Sequence, residues 1–103
     1  MNNYVYILTN KNRSVLYIGS TKNLVFRLRQ HRLRKGAKFT RDYNVFDLIY
    51  FEIIPSSRLA KAREKQLKNW HKSWKWNLIK KFNPTLISLK LNSKGPETSS
   101  GHN

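Results

Sequence analysis

The chain has 103 residues, the size of one domain, with 21 lysines and arginines against 5 acidic residues and a formal net charge of +16. Such an excess is typical of proteins that bind nucleic acid or another polyanion, and the absence of cysteine excludes a disulfide scaffold and thiolate metal sites. The sequence carries no signal-peptide pattern and no apolar run near the ~18–20 residues of a membrane span, so we expect a cytoplasmic protein.

The first part of the chain predicts a β-hairpin. Residues 4–9 are β-branched, aromatic and apolar, as in a short buried strand, and residues 10–14 are polar turn material. Residues 15–18 form a second predicted strand, which the short link pairs antiparallel with the first. Gly19 is predicted to end this strand, at a point where a backbone or a ligand can come close.

A helix is predicted next, over about residues 21–33, with Ser20 or Thr21 as its N-cap. Arg27 and His31 lie one turn apart on this helix, beside a row of two leucines. We therefore expect both polar side chains at the edge of the buried stripe, where packing holds them in place.

The second half predicts one strand and two helices. Residues 35–41 read as a basic loop, and residues 46–54 as a strand apolar enough to be central in the sheet. Helices follow at about 58–70 and 72–82, and the second stops before a proline. From residue 90 the sequence is polar and without periodicity.

The order β-β-α-β-α-α predicts an α+β domain, with a small three-stranded, mostly antiparallel sheet flanked by helices. We assign residues 1–89 to this domain and residues 90–103 to a disordered polar tail. The basic residues are concentrated in two parts of it. Residues 22–41 hold eight and no acid, and residues 58–81 hold nine with a single acid, Glu64.

Four pieces of sequence then form a recognisable series. They are Tyr4-Val5-Tyr6, Tyr17-Ile18-Gly19, Asn23-Leu24-x-x-Arg27-Leu28-x-x-His31, and Glu64 on a later helix. Their order and spacing resemble the GIY-YIG nuclease superfamily over about residues 4–89. The chain is most similar to its small stand-alone members, which resemble the N-terminal nuclease domain of UvrC-type repair proteins. Segment 36–41 and Asn83-Pro84 also resemble those small members.

The resemblance has three departures. Tyr4 fills the position of the first motif's glycine, and Ser20 stands where repair-type members commonly have a lysine. Lys22 is the candidate substitute for that lysine. The counterpart of a family asparagine is open between Asn77 and Asn83.

The resemblance implies five catalytic residues: Tyr6, Tyr17, Arg27, His31 and Glu64. A guanidinium at Arg27 suits a phosphate that gains charge in the transition state. Glu64 would be the ligand of a single Mg²⁺ or Mn²⁺, because hard cations take oxygen ligands, often from one or two carboxylates. The tyrosines would orient or deprotonate the attacking water, and His31 would accept its proton or hydrogen-bond a phosphate.

Each of these residues also has an ordinary structural alternative. Arg27 can be one more surface arginine of its basic segment, and strand tyrosines and helix histidines commonly pack. Glu64 can pair with a neighbouring lysine on its helix surface, at Lys61, Lys65 or Lys68.

Five further basic residues are predicted to contact backbone phosphates: Lys22, Arg34, Lys35, Lys38 and Arg41. Such contacts give affinity without sequence information. Among the tryptophans, Trp74 is predicted to pack in the core, and Trp70 or Trp76 to be exposed for stacking on bases.

Together these patterns predict a divalent-metal-dependent endonuclease that hydrolyses DNA phosphodiester bonds, structure-directed or weakly sequence-specific. Branched or damaged DNA, as in DNA repair, is the expected substrate, with RNA left open and a protein partner as a source of specificity. The alternative is a non-catalytic DNA- or RNA-binding module on the same fold. A membrane partner is not expected.

Overall fold

Three antiparallel strands form the sheet of the computed structural model, which describes residues 2–91. They are β1 (Asn3–Thr9), β2 (Leu16–Thr21) and β3 (Asp47–Ile54), in the spatial order β2-β1-β3. Every residue of β1 is buried, so β1 is the central strand. The prediction of a central β3 is wrong, because β3 is an edge that leaves Ile53 exposed.

Four helices complete the described part of the chain: α1 (Leu24–Arg32), α2 (Lys38–Asp42), α3 (Ser57–Asn69) and α4 (Lys72–Phe82). The α+β class and the antiparallel sheet are confirmed, with one addition. The short helix α2 occupies the segment predicted to be a basic loop. None of the described helices is long and apolar enough to cross a membrane. The predicted tail lies outside the described residues apart from its first two positions.

The hairpin pairs β1 and β2 further than predicted. Tyr6 pairs with Gly19 and Tyr4 with Thr21, so Gly19 lies inside β2 and does not end it. Because the strand takes up Ser20 and Thr21, neither is the N-cap of α1. Asn23 takes that role, and its side-chain oxygen accepts the backbone N–H of Phe26 at 3.0 Å.

The two faces of β1 pack against different helices. Tyr4, Tyr6 and Leu8 belong to a cluster with Leu24 of α1. The alternate residues of β1 face the other side, in a cluster whose members are Val5, Ile7, Ile18, Ile49, Tyr50, Ala60, Leu67 and Ile79. The sheet is therefore covered by α1 on one face and by α3 and α4 on the other.

The tryptophans are distributed differently from the prediction. Trp74 is 53% exposed, whereas Trp70 and Trp76 are half-buried against the α3/α4 cluster. The phase of α4 explains this difference. Ile79 is its buried residue, and a residue five positions earlier is rotated by roughly 140° around the helix.

Asn83 closes an irregularity of the sheet. Leu8 pairs with Leu48 and Ile7 with Tyr50, so Ile49 is the extra residue of a β-bulge. The amide nitrogen of Asn83 donates to the carbonyl oxygens of Ile49, at 3.1 Å, and of Ile87, at 2.8 Å. Asn83 thus supplies a partner to the bulge and anchors the segment that follows α4.

We expect Asn83→Ala to lower the free energy of unfolding by about 1–3 kcal/mol, because it leaves buried carbonyl groups without their donor. The control is Asn77→Ala, which changes an exposed asparagine of α4 and is expected to alter stability by less than about 0.5 kcal/mol. Urea unfolding of both variants measures the difference. Equal losses would contradict the anchoring role.

Candidate active site

Tyr6 lies in the interior, with its hydroxyl against the backbone of β2. A Cβ atom built on Gly19 would lie 2.6 Å from that hydroxyl, so a side chain at position 19 would displace the Tyr6 ring. Burial, and then the nearby Tyr17, raise the pKa of Tyr6 well above its usual value, and the Arg27 charge only partly opposes them. Tyr6 is therefore a neutral phenol at physiological pH.

His31 of α1 joins Tyr6 to α2 through both ring nitrogens. Its Nε2 lies 3.1 Å from the Tyr6 hydroxyl and its Nδ1 lies 2.8 Å from the hydroxyl of Thr40. Thr40 donates its one hydroxyl proton to the carbonyl of Ala37 at 2.9 Å, so it accepts a hydrogen bond from Nδ1–H. In a neutral imidazole Nε2 is then the acceptor, and Tyr6 donates to it.

The imidazole of His31 is enclosed. It is 1% exposed, and a Cβ atom built on Gly36 would lie 2.4 Å from its Nδ1. Burial, and then the positive charge of Arg27, lower the pKa of His31. His31 is therefore neutral at pH 7, and its Nε2 atom is a hydrogen-bond acceptor. Because the side chain of His31 is almost completely buried, a proton that it accepts has to reach it through a neighbouring hydroxyl group.

Tyr17 is the half-buried member of this group. Its ring centroid lies 6.3 Å from that of Tyr6 and 5.5 Å from that of His31. The two tyrosines are on neighbouring strands and on the same face, since Tyr17 lies two residues before the partner of Tyr6. Of the three rings, only that of Tyr17 reaches the surface.

Arg27 borders a cavity of about 330 Å³ between α1 and α3. Ser20, Lys22 and Lys61 also line this cavity. The Nε atom of Arg27 is buried and has no hydrogen-bond partner among residues 2–91. An unpaired buried donor costs about 1–3 kcal/mol, so this atom marks a place for an acceptor oxygen.

Glu64 of α3 is held from two sides. Its Oε1 accepts the Ser20 hydroxyl at 2.6 Å and its Oε2 lies 2.7 Å from the ammonium of Lys68. Burial opposes ionisation, but the hydrogen bonds from Lys68 and Ser20 outweigh it and lower the pKa of Glu64. Its negative charge is also the smallest of the causes that raise the pKa of Tyr6.

The donor set suits one kind of cation. Residues 2–91 contain no group of three or more histidine, aspartate or glutamate side chains that could hold a metal ion. Glu64, with the Ser20 hydroxyl beside it, fits a hard cation that keeps several waters and takes substrate oxygens. The Lys68 ammonium lies against one oxygen of Glu64, and the Lys68 side chain is 52% exposed.

The predicted phosphate contacts fall into two groups. Lys22, Lys35, Lys38 and Arg41 are exposed, although the last two pair with Asp42. Arg34 is also exposed, but its guanidinium donates to the Asn44 side chain and to the Arg41 carbonyl, both at 3.0 Å, and lies over the Phe46 ring. Two of its nitrogens therefore form hydrogen bonds with α2 and with the connection between α2 and β3.

Sequence reasoning missed four residues that position the site: Ser20, Gly36, Thr40 and Lys68. The sequence suggested Ser20 as a helix N-cap and as a departure from a lysine, and Lys68 as a surface partner of Glu64. Gly36 and Thr40 lie in the segment that resembles the small family members, which was the available signal. Their roles depend on contacts with His31 that no local pattern encodes.

Comparison with known proteins identifies the family of the chain. The family model described as the GIY-YIG catalytic domain matches residues 2–80. The chain belongs to the GIY-YIG family. It is 43% identical over 77 residues to a UPF0213 protein of Clostridium perfringens, which covers 75% of this chain and 82% of the relative.

Two further similar proteins come from other organisms. A UPF0213 protein of Haloquadratum walsbyi is 35% identical over 75 residues, which covers 73% of this chain and 83% of the relative. The solution NMR structure of a UPF0213 protein from Bacillus halodurans shares 37% identity, covers 77% of this chain and 83% of its own, and gives a TM-score of 0.49. Membership of the GIY-YIG family implies nuclease activity on a nucleic acid.

We expect the free energy of unfolding to fall as the pH is lowered from 7 to 5. The pKa of His31 is below 6.5 in the folded state, so the unfolded state binds more protons as the pH drops through 6.5 and below. Urea unfolding at half-unit steps of pH measures the slope. His31→Gln should remove this part of the slope, whereas His71→Gln, at an exposed position, should retain it. An unchanged slope in His31→Gln would contradict a neutral buried imidazole.

Proposed function

We propose that the protein is a divalent-metal-dependent endonuclease that hydrolyses phosphodiester bonds in DNA. The observation that carries this proposal is the Nε atom of Arg27, which is buried and has no hydrogen-bond partner among residues 2–91. Arg27 lines a cavity that is also lined by Ser20, and the Ser20 hydroxyl donates to Glu64. A buried guanidinium nitrogen that lacks an acceptor suits a phosphate oxygen better than it suits a neutral ligand.

Arg27 would bind the phosphate that is cut. Its guanidinium is half-buried, so solvent screens its charge less than that of an exposed arginine. A phosphate oxygen at Nε would satisfy the unpaired donor, and the interaction strengthens as the phosphorus gains a fifth oxygen and negative charge. Arg27 would thus favour the transition state over the ground state.

The proton of the attacking water would leave through the aromatic group. Tyr17 is exposed enough to orient the water, and Tyr6 with its raised pKa is a poor isolated base. Tyr6 would instead serve as a relay: its ring is buried, so it would take the new proton through Tyr17 while its own hydroxyl proton passes to Nε2 of His31. Thr40 would keep Nδ1 protonated, so that Nε2 stays the acceptor.

Glu64 would hold a single Mg²⁺ or Mn²⁺, with water and substrate oxygens completing the coordination. When bound, such an ion lowers the pKa of water and offsets charge on the phosphate. Ser20 would orient the carboxylate through its hydrogen bond to Oε1. Lys68 would move from the carboxylate toward the DNA backbone, which offers it another anion.

The substrate would be selected by its structure more than by its sequence. The exposed cations Lys22, Lys35, Lys38 and Arg41 offer phosphate contacts around the cleft. A domain of this size has little additional surface for reading base edges, and a long recognition sequence is not expected. Branched or damaged DNA, with a protein partner for further specificity, fits this surface.

Glu64→Gln is expected to abolish cleavage of supercoiled plasmid in Mg²⁺ or Mn²⁺. The amide keeps the shape and the Ser20 contact but loses the charge that a hard cation requires. DNA affinity in EDTA should stay the same or rise slightly, since a negative charge leaves a positive surface. Gel electrophoresis of the plasmid and fluorescence anisotropy in EDTA measure the two effects.

The control for that variant is Glu52→Gln, the same change in a carboxylate that pairs with Arg63 on the far edge of the sheet. It should retain cleavage at protein concentrations and temperatures where it is folded. If Glu64→Gln nicked plasmid at the wild-type rate, the metal assignment would be wrong. Cleavage unaffected by EDTA would contradict metal dependence, and absence of cleavage by the wild type would favour the binding module.

Arg27→Lys should lose cleavage although it keeps the charge, because an ammonium lacks the planar fork of donors. Arg27→Ala should also lose cleavage, but it should reduce the slope of log Kd against log salt by only about one, out of roughly five to seven for about six to eight phosphate contacts. Lys35→Ala is the matched control and should weaken binding while turnover at saturating DNA stays near wild type. Loss of most binding in Arg27→Ala would contradict a mainly catalytic role.

A further inference from the structure

Three aromatic rings form a continuous series from the active site to the surface. The rings of Tyr17 and Phe39 are stacked, with centroids 6.3 Å apart and an interplanar angle of 22°. The Phe39 ring in turn contacts that of Tyr43, with centroids 4.9 Å apart and an angle of 39°. We call Phe39 and Tyr43 the aromatic platform. It is connected to the Tyr6–His31 pair through the single ring of Tyr17.

Both rings of the platform are exposed to solvent, although neither is needed to fill the core. Phe39 is 39% exposed and Tyr43 is 58% exposed, and neither belongs to the two core clusters of residues 2–91. The buried residue of α2 is Thr40, whose hydroxyl meets His31. The position of α2 is thus secured by Thr40, and Tyr43 in particular contributes little buried surface. Adjacent exposed rings are more typical of a binding surface than of a fold requirement.

The charges around the platform select the class of ligand. Lys35, Lys38 and Arg41 are exposed in the same segment, and Asp42, the sole acid between residues 22 and 46, is paired with two of them. Aromatic rings interleaved with cations are typical of surfaces on which bases of a single strand stack while the backbone is neutralised. A second copy of this strongly basic chain would be repelled here.

We propose that Phe39 and Tyr43 form a stacking site for an unpaired nucleobase adjacent to the cleaved phosphate. A base in continuous duplex is stacked on its neighbours and has no free face for these rings. The platform would therefore give the protein a preference for DNA that carries unpaired nucleotides beside the cut, such as flaps and single-stranded branches. The location beside the cut rests on the proposed function, whereas the stacking itself does not.

The test compares two DNA substrates in EDTA, where no cleavage occurs. One carries a short single-stranded flap with 2-aminopurine in the nucleotide next to the junction, and the other is a fully paired duplex of the same length. We expect wild type to bind the flap more tightly and to quench its fluorescence. Tyr43→Leu and Phe39→Leu should weaken flap binding roughly ten-fold, relieve the quenching and change duplex binding less than about two-fold.

Conservative and matched variants separate stacking from general effects. Tyr43→Phe keeps the ring and should retain both affinity and quenching. Trp74→Leu removes an exposed aromatic from α4, on the opposite side of the sheet, and should leave the flap preference intact. If Trp74→Leu weakened flap binding as much as the platform variants do, DNA would be binding to exposed aromatic rings in general, and the proposal would be overturned. Self-association of wild type that Tyr43→Leu abolishes would also overturn it.

Folding and catalysis are controlled separately. Circular dichroism of each variant checks the fold, and Tyr43→Leu keeps the test decisive if Phe39→Leu disturbs the stack with Tyr17. If the protein cleaves DNA but the leucine variants keep the flap preference, the proposed stacking site is wrong and the nuclease proposal stands. If the platform variants lose flap binding but wild type never cleaves, the stacking site stands and the nuclease proposal fails.

Discussion

The hydrogen bond from the Tyr6 hydroxyl to Nε2 of His31 is the interaction around which the site is arranged. It joins the central strand to α1, and it is possible only because Gly19 and Gly36 bring bare backbone against the two side chains. Thr40 sets its direction by accepting from Nδ1. Every member of this buried chain is satisfied, so it stabilises one arrangement of strand, helix and loop and resists rearrangement.

Arg27 and Glu64 differ from that chain because their surroundings are incomplete or replaceable. The Nε of Arg27 lacks an acceptor within residues 2–91, and one oxygen of Glu64 is occupied by a lysine that is half-exposed. A substrate phosphate and a cation each offer what the folded chain does not. The site thus combines a fully hydrogen-bonded group in the interior with charged groups at its rim, and in the proposed function the contacts of the rim groups would be exchanged on binding.

Local sequence patterns predicted the elements that local forces determine. The hairpin and the approximate bounds of α3 and α4 follow from turn residues and periodicity. The spacing of Arg27 and His31 likewise placed both on one side of α1. The errors have a common physical origin in long-range contacts. Pairing with β1 carried β2 past Gly19, contact with His31 ordered α2 through Thr40, and the choice of central strand and the exposure of Trp74 depend on how layers pack.

The bulge at Ile49 has a consequence for the order in which the protein assembles. Its carbonyl accepts a hydrogen bond from the side chain of Asn83, a residue 34 positions later that lies beyond the last described helix. During synthesis the tyrosines of the hairpin emerge first, yet the strand beside β1 is fully satisfied only after residue 83 has left the ribosome. Contacts between residues so far apart in sequence form slowly, so the apolar surface of the newly made hairpin stays exposed until they form. The residues that are made first are therefore among the last to reach their final environment.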